Sequence, residues 1–307
     1  MKRLLISIGL LALYLNGCAR SFRSQAPNPN RSSQNNPQIS QLINDTAPAA
    51  NSDPIYVAMG GWNSCVVDSR IPNEPSPYGM NMNKEFSKFL ERIEARFPGR
   101  KAKFVMSCHS ADVSRVRYVV SSDPFRMIIT GHDEYYAAIN NFAQQTNSSL
   151  VMMGHSYGGS QIMQAVQRLA PQVRVPSLIT IDPISPTTCP PAVMVNLLAT
   201  RVKQLFGQNG SSESGIGCQQ FPAEYSEASK RELRARVAWW ENYFQTDLFS
   251  ILKSSPTPEA CNQSVKHTNI TKLANGHIAM GMYDSLWNDI FERVTSPTPT
   301  ECIDRRI

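Results

Sequence analysis

Beyond residue 53 the chain alternates short apolar runs with longer stretches in which apolar side chains recur every three or four positions. This alternation predicts strands that cross over through helices into a mostly parallel sheet. Ile55 to Met59 is apolar throughout and stops at Gly60-Gly61, the pattern of a strand buried on both faces. From Asn81 to Phe97 the residues Phe86, Phe89, Leu90, Ile93 and Phe97 share one helical face, and Pro98-Gly99 ends the run. Lys103 to Met106, Leu150 to Met153 and Ser177 to Ile181 predict three more strands. Helices are expected over His132 to Asn147, with Tyr135, Tyr136, Ile139 and Phe142 inward, and over Gly158 to Ala170, with Ile162, Met163, Val166 and Leu169 inward. Further along, a helix is predicted around Val193 to Leu205, then a Gly/Ser-rich loop over 207 to 217. A charged helix follows from Glu227 to about Trp239, with the start of a strand over Val237 to Phe244 as the alternative, since aromatic residues cluster there. Val265 to Leu273 carries β-type residues at alternate positions, and Tyr283 to Val294 predicts a final helix.

The first residues follow other rules. Lys2 and Arg3 precede a mostly apolar run of twelve residues, Leu4 to Leu15, which as a helix covers about 18 Å. A hydrocarbon core is about 30 Å thick, so the run reads as an export signal and not as a permanent span. It ends in Leu15-Asn16-Gly17-Cys18, which resembles the lipobox of bacterial lipoproteins. That resemblance implies a signal peptide over 1–17, lipid on Cys18, and export to a bacterial membrane. Residues 18–53 are rich in Ser, Asn, Gln and Pro with few apolar anchors, the composition of a disordered tether.

Composition sharpens this in two places. The formal charge of +6 includes the leader's Lys2 and Arg3, and the basic residues are scattered without a run or interleaved aromatics. Nucleic-acid binding therefore has no footprint. The 7 cysteines are an odd number. With Cys18 lipidated, Cys65, Cys108, Cys189, Cys218, Cys261 and Cys302 remain for disulfides in an oxidising compartment. Their spacing matches no zinc pattern and does not choose among fifteen connectivities. Pairing neighbours along the chain gives the expectation Cys65 with Cys108, Cys189 with Cys218, and Cys261 with Cys302.

The chemistry-bearing motif is Gly154-His155-Ser156-Tyr157-Gly158-Gly159, set between a predicted strand and a predicted helix. G-x-S-x-G in strand-turn-helix context resembles the nucleophile elbow of the α/β-hydrolase superfamily. The resemblance implies an α/β fold with a mostly parallel central sheet, helices on both faces, and one catalytic domain over 54–307. It also implies a lipase- or esterase-like serine hydrolase needing neither metal nor organic cofactor, with a small-molecule or lipid ester as substrate. A serine hydroxyl is a weak nucleophile until a histidine takes its proton and an acid orients that histidine. Ser156 is the expected nucleophile and His155 a variable position of the motif.

The superfamily order puts acid and then histidine downstream. His277, in Asn275-Gly276-His277-Ile278 ahead of the last helix, is favoured over His267, which lies within a strand pattern. Asp182 follows the strand ending at Ile181, and Asp182-Pro183 resembles the acid segment of pancreatic-type lipases; Asp247, one strand later, is the competitor. The oxyanion donors expected from the superfamily are the Tyr157 amide and that of Gly61 or Trp62, after the first strand. Met152, Met153, Met280 and Met282 read as core, with an acyl pocket as the other possibility. An amidase, thioesterase or acyltransferase on the same triad, or a binding protein that keeps the scaffold, are the alternative functions.

Overall fold

A computed structural model describes residues 53–61, 82–100, 102–109, 115–120, 125–130, 132–190, 218–246, 252–265, 280–281 and 283–296, with residues 193, 196, 197, 200 and 277. Strands β1 (Ile55–Met59), β2 (Lys103–His109), β3 (Arg115–Val120), β4 (Phe125–Thr130), β5 (Leu150–His155), β6 (Val175–Ile181), β7 (Val237–Gln245) and β8 (Cys261–Val265) form one sheet. Its order is β4-β3-β2-β1-β5-β6-β7-β8. From β2 across to β8 every pairing is parallel, while β3 and β4 extend the β2 edge antiparallel. Helices α1 (Met82–Arg96), α2 (His132–Thr146), α3 (Tyr157–Arg168), α4 (Glu227–Arg236) and α5 (Asp284–Thr295) connect or flank these strands.

Successive residues of β1 feed two different cores, which explains its uninterrupted apolar run. Ile55, Val57 and Met59 pack with Leu150, Met152 and Leu178 beneath α2, α3 and α4, whose Ile139, Phe142, Ile162, Val166 and Leu233 complete that layer. Tyr56 and Ala58 face the other side, with Val151, Met153, Ile179 and Ile181 under Phe86, Phe89 and Ile93 of α1 and Leu286, Trp287 and Ile290 of α5. A strand covered on both faces has no side left for polar residues. Met152, Met153 and Met280 are accordingly core residues; Met282 lies outside the described residues.

Several elements differ from the pattern reading. β3 and β4 were not anticipated: their strand character is plain only once β2 offers an edge to pair with. The charged helix stops at Arg236, and Val237 opens β7 by pairing with Val175 of β6. Sheet pairing satisfies the backbone groups of the Val-Ala-Trp-Trp run, and β-branched and aromatic residues suit a pleated surface. Arg236 itself donates to the carbonyls of Val166, Gln167 and Leu169 at 2.9, 2.9 and 2.8 Å, placing a cation at the carboxyl end of α3. The strand before the histidine loop is Cys261–Val265, so the expected Val265 to Leu273 strand meets it only at its first residue. Most of that stretch lies outside the described residues, as do the predicted loop at 207–217 and most of the helix around Val193 to Leu205.

Chain order reverses direction at β1, which pairs with β2 on one side and β5 on the other. Ligands of open α/β sheets bind at the carboxyl ends of strands where this switch occurs. Gly60-Gly61 leaves β1, and Ser156 leaves β5, at that crevice.

Candidate active site

Ser156 sits between the last residue of β5 and the first of α3 with φ 58° and ψ −128°. A side-chain-bearing residue there is strained by about 1–3 kcal/mol and persists only if its surroundings over-determine it. Here the Ser156 N–H donates to the Ile181 carbonyl at 3.0 Å, and the Ser156 carbonyl accepts from Gly159 at 2.9 Å and Ile184 at 3.1 Å. The flanking glycines leave room for the turn. A Cβ on Gly154 would collide with the Gly158 carbonyl, and one on Gly158 with the carbonyls of Met59 and Gly60. The start of α3 therefore lies directly against the loop that follows β1.

Three side chains from separate elements meet at this edge. His277 Nε2 is 2.7 Å from Ser156 Oγ, and His277 Nδ1 is 2.6 Å from Asp182 Oδ2. An ionised carboxylate only accepts, so Nδ1 carries the proton and Nε2 is left to accept from the serine hydroxyl. Asp182 follows the last residue of β6 at φ 44°, with its N–H donating to the Tyr243 carbonyl of β7 at 2.7 Å. Its Oδ1 accepts from the Ser254 N–H at 2.5 Å, and its Oδ2 also accepts from Gln245 Nε2 at 2.5 Å. Asp182 is fully buried, and Ser156 and His277 are nearly so.

A second histidine, His155, belongs to the same cluster, and spacing alone carried no sign of it. Its ring lies 5.0 Å from that of His277, and its Nε2 is 2.8 Å from the His277 carbonyl oxygen. That contact makes Nε2 the protonated nitrogen, while Nδ1 has no partner among the described residues. Burial, and next the proximity of His277, push His155 down from 6.5 to about 3. It is neutral at any ordinary pH, so a proton arriving on His277 meets no second cation.

Tyr157 opens α3. Its ring is buried with Ile184, Cys189, Leu197, Cys218 and Leu252 in a small apolar cluster, and its hydroxyl donates to the Cys189 carbonyl. Burial pushes this phenol well above its ordinary range. Cys189 and Cys218 form a disulfide with Cα atoms 4.8 Å apart. Cys261 is also disulfide-bonded, to a cysteine whose side chain is not described. Gly61 is buried at the mouth of β1. Trp62, Cys18, Cys65, Cys302, Asp247 and His267 lie outside the described residues, and Cys108 is described only as a backbone position of β2. Among the described residues no group of three or more His, Cys, Asp or Glu could hold a metal ion.

A mostly parallel sheet with helices on both faces, and a strand-elbow-helix turn at its switch point, is the α/β-hydrolase fold. No protein-family model matches the chain, and no curated protein matches it. Solved structures similar to it include a soluble variant of monoglyceride lipase from Saccharomyces cerevisiae bound to a substrate analogue, at 10% identity and a TM-score of 0.38, covering 81% of this chain and 88% of that one. A thioesterase of the prodiginine pathway in Streptomyces coelicolor is similar at 12% identity and a TM-score of 0.35, over 88% and 98% of the two chains. Homoserine O-acetyltransferase from Staphylococcus aureus is similar at 10% identity and a TM-score of 0.34, over 82% and 88%.

Proposed function

We propose that this protein is a serine hydrolase that cleaves carboxylic esters through an acyl-enzyme intermediate. The observation that carries the reading is the continuous relay from Ser156 Oγ through His277 to Asp182, at 2.7 and 2.6 Å. Ser156 Oγ attacks the ester carbonyl as its proton passes to His277 Nε2, and the C–O bond then breaks as that proton moves to the leaving alcohol. Water, deprotonated by the same nitrogen, releases the acid. Asp182 holds the Nδ1–H tautomer and stabilises the imidazolium. The oxyanion donors in this reading are the Tyr157 amide, at the positive end of α3, and the amide of Gly61 or Trp62. The ester preference follows the resemblance of Asp182-Pro183 to the lipase acid segment. The leader and Cys18 complete the proposal: an exported enzyme held at a bacterial membrane by lipid, with residues 18–53 as tether.

Fluorophosphonate labelling tests it. Wild type is expected to label on Ser156, and Ser156→Ala neither to label nor to turn over esters, a loss of about 10⁴-fold or more. Equal labelling of Ser156→Ala rejects the nucleophile. A panel of esters, thioesters and amides of graded chain length tests the substrate class, and a panel without ester turnover rejects it. Asp182→Asn is expected to cost far more activity than Asp247→Asn; the reverse order would reassign the acid.

A further inference from the structure

Gln245, the last residue of β7, stands one strand beyond Asp182, and both its reach and its orientation point at that carboxylate. Its Nε2 donates to Asp182 Oδ2 at 2.5 Å and to the Leu252 carbonyl at 2.7 Å. Two residues on, the Ser254 N–H donates to Asp182 Oδ1 at 2.5 Å. One amide group thus grips the acid and also the segment that supplies the acid's other donor. The amide orientation is not free. Turned over, Oε1 would face a carboxylate oxygen and a carbonyl oxygen, three acceptors without a proton among them. In the orientation present, Oε1 is buried without a partner among the described residues. A side chain there for packing alone gains nothing from an amide whose oxygen is buried unsatisfied.

The register of the sheet explains the reach. Ile181 pairs with Tyr243, the Asp182 N–H bonds to the Tyr243 carbonyl at 2.7 Å, and Gln245 follows on the same face of β7 as Tyr243. The carboxyl end of β7, where the sequence offered Asp247 as a competing acid, supplies a donor to the acid of β6 instead.

Resting on the triad reading above, we propose that Gln245 is a positioning residue for the reaction: it fixes the Asp182 carboxylate in the plane from which Oδ2 accepts the His277 Nδ1–H. It touches neither substrate nor the reacting atoms. Among the described residues, the titratable groups around the carboxylate are His277, ahead of α5, and His155 from the elbow.

Two near-isosteric variants test this in the full-length protein, with unfolding curves as the control for folding. Gln245→Leu removes the donor, and kcat is expected to fall about 10- to 100-fold with KM within about threefold. Gln245→Glu restores a donor only while protonated. A buried carboxyl beside Asp182 holds its proton into the neutral range and then loses it, so the ratio of Gln245→Glu to wild-type kcat should fall steadily from pH 6 to pH 9. The Gln245→Leu ratio should stay flat over the same range. A packing role would leave kcat in Gln245→Leu at the wild-type value, because leucine fills nearly the same volume. Wild-type kcat in Gln245→Leu, or a flat Gln245→Glu ratio in a folded protein, overturns the inference while Ser156 labelling leaves the triad intact. If Gln245→Leu fails to fold, the Gln245→Glu ratio decides alone. Absence of labelling in wild type overturns the triad reading and this inference with it.

Discussion

His155 and His277 are the same residue type a ring's width apart, and their surroundings give them different work. His277 has a carboxylate on one nitrogen and a hydroxyl on the other. His155 has one backbone acceptor and apolar burial, so it does not protonate until about pH 3. That difference makes a stability prediction. Unfolded, His155 takes up a proton near its ordinary 6.5; folded, it does not. The unfolded state therefore binds more protons between these values, and stability must fall as pH drops from 6.5 towards 3. By pH 5 the loss from this one group is about 2 kcal/mol. His155→Gln, which keeps a donor for the His277 carbonyl, should remove that share of the acid sensitivity. Denaturant unfolding of both proteins at pH 7 and pH 5 measures it, and equal pH dependence would contradict the burial argument.

At the scale of elements, the site depends on strand ends held in register and on a clamp over their carboxyl edge. The Cys189–Cys218 disulfide closes a segment spanning 29 positions. Cys189 accepts the Tyr157 hydroxyl, and the Cys218 carbonyl accepts the Lys253 N–H at 3.0 Å. Lys253 lies between the two residues, Leu252 and Ser254, that serve Gln245 and Asp182. The crosslink thus joins the first residue of α3 to the segment beneath the acid. A closed loop of this length stabilises a fold by about 3–4 kcal/mol through the unfolded chain. Replacing both cysteines by serine should lower the unfolding free energy by that order, and should also lower kcat because the Asp182 donors loosen. An unchanged kcat in the folded variant would separate the crosslink from the site.

For the whole molecule, a sheet buried on both faces leaves its carboxyl edge as the place where polar chemistry converges. Asp182, His277 and Ser156 are far apart in the chain and come together because β5 and β6 are neighbours and His277 is brought to their carboxyl edge. The proposed lipid anchor is a matter of the amino-terminal segment instead. If Cys18 is acylated, the mature protein should partition with membranes, and Cys18→Ser should release it or leave the leader uncut. A free Cys18 thiol in the mature protein, found by mass spectrometry, would reject the anchor.

Much of this is readable wherever the cause is local. The β1 run, the α1 and α2 stripes and the G-x-S-x-G turn depend on residues within a few positions of one another, so pattern and steric need suffice to locate them. The order Ser156, Asp182, His277 came from the superfamily resemblance, and the element that each candidate follows or precedes then ranked Asp182 over Asp247 and His277 over His267. Long-range pairing is another matter. β3 and β4 exist as strands because β2 presents an edge, and Val237 leaves its helix because β6 waits beside it. His155 fills the variable position of the elbow and Gln245 ends a strand, and neither local context names the partner it bonds. Their roles arise from a carbonyl 122 positions away and a carboxylate 63 positions away, partners that only the folded sheet brings within hydrogen-bonding distance.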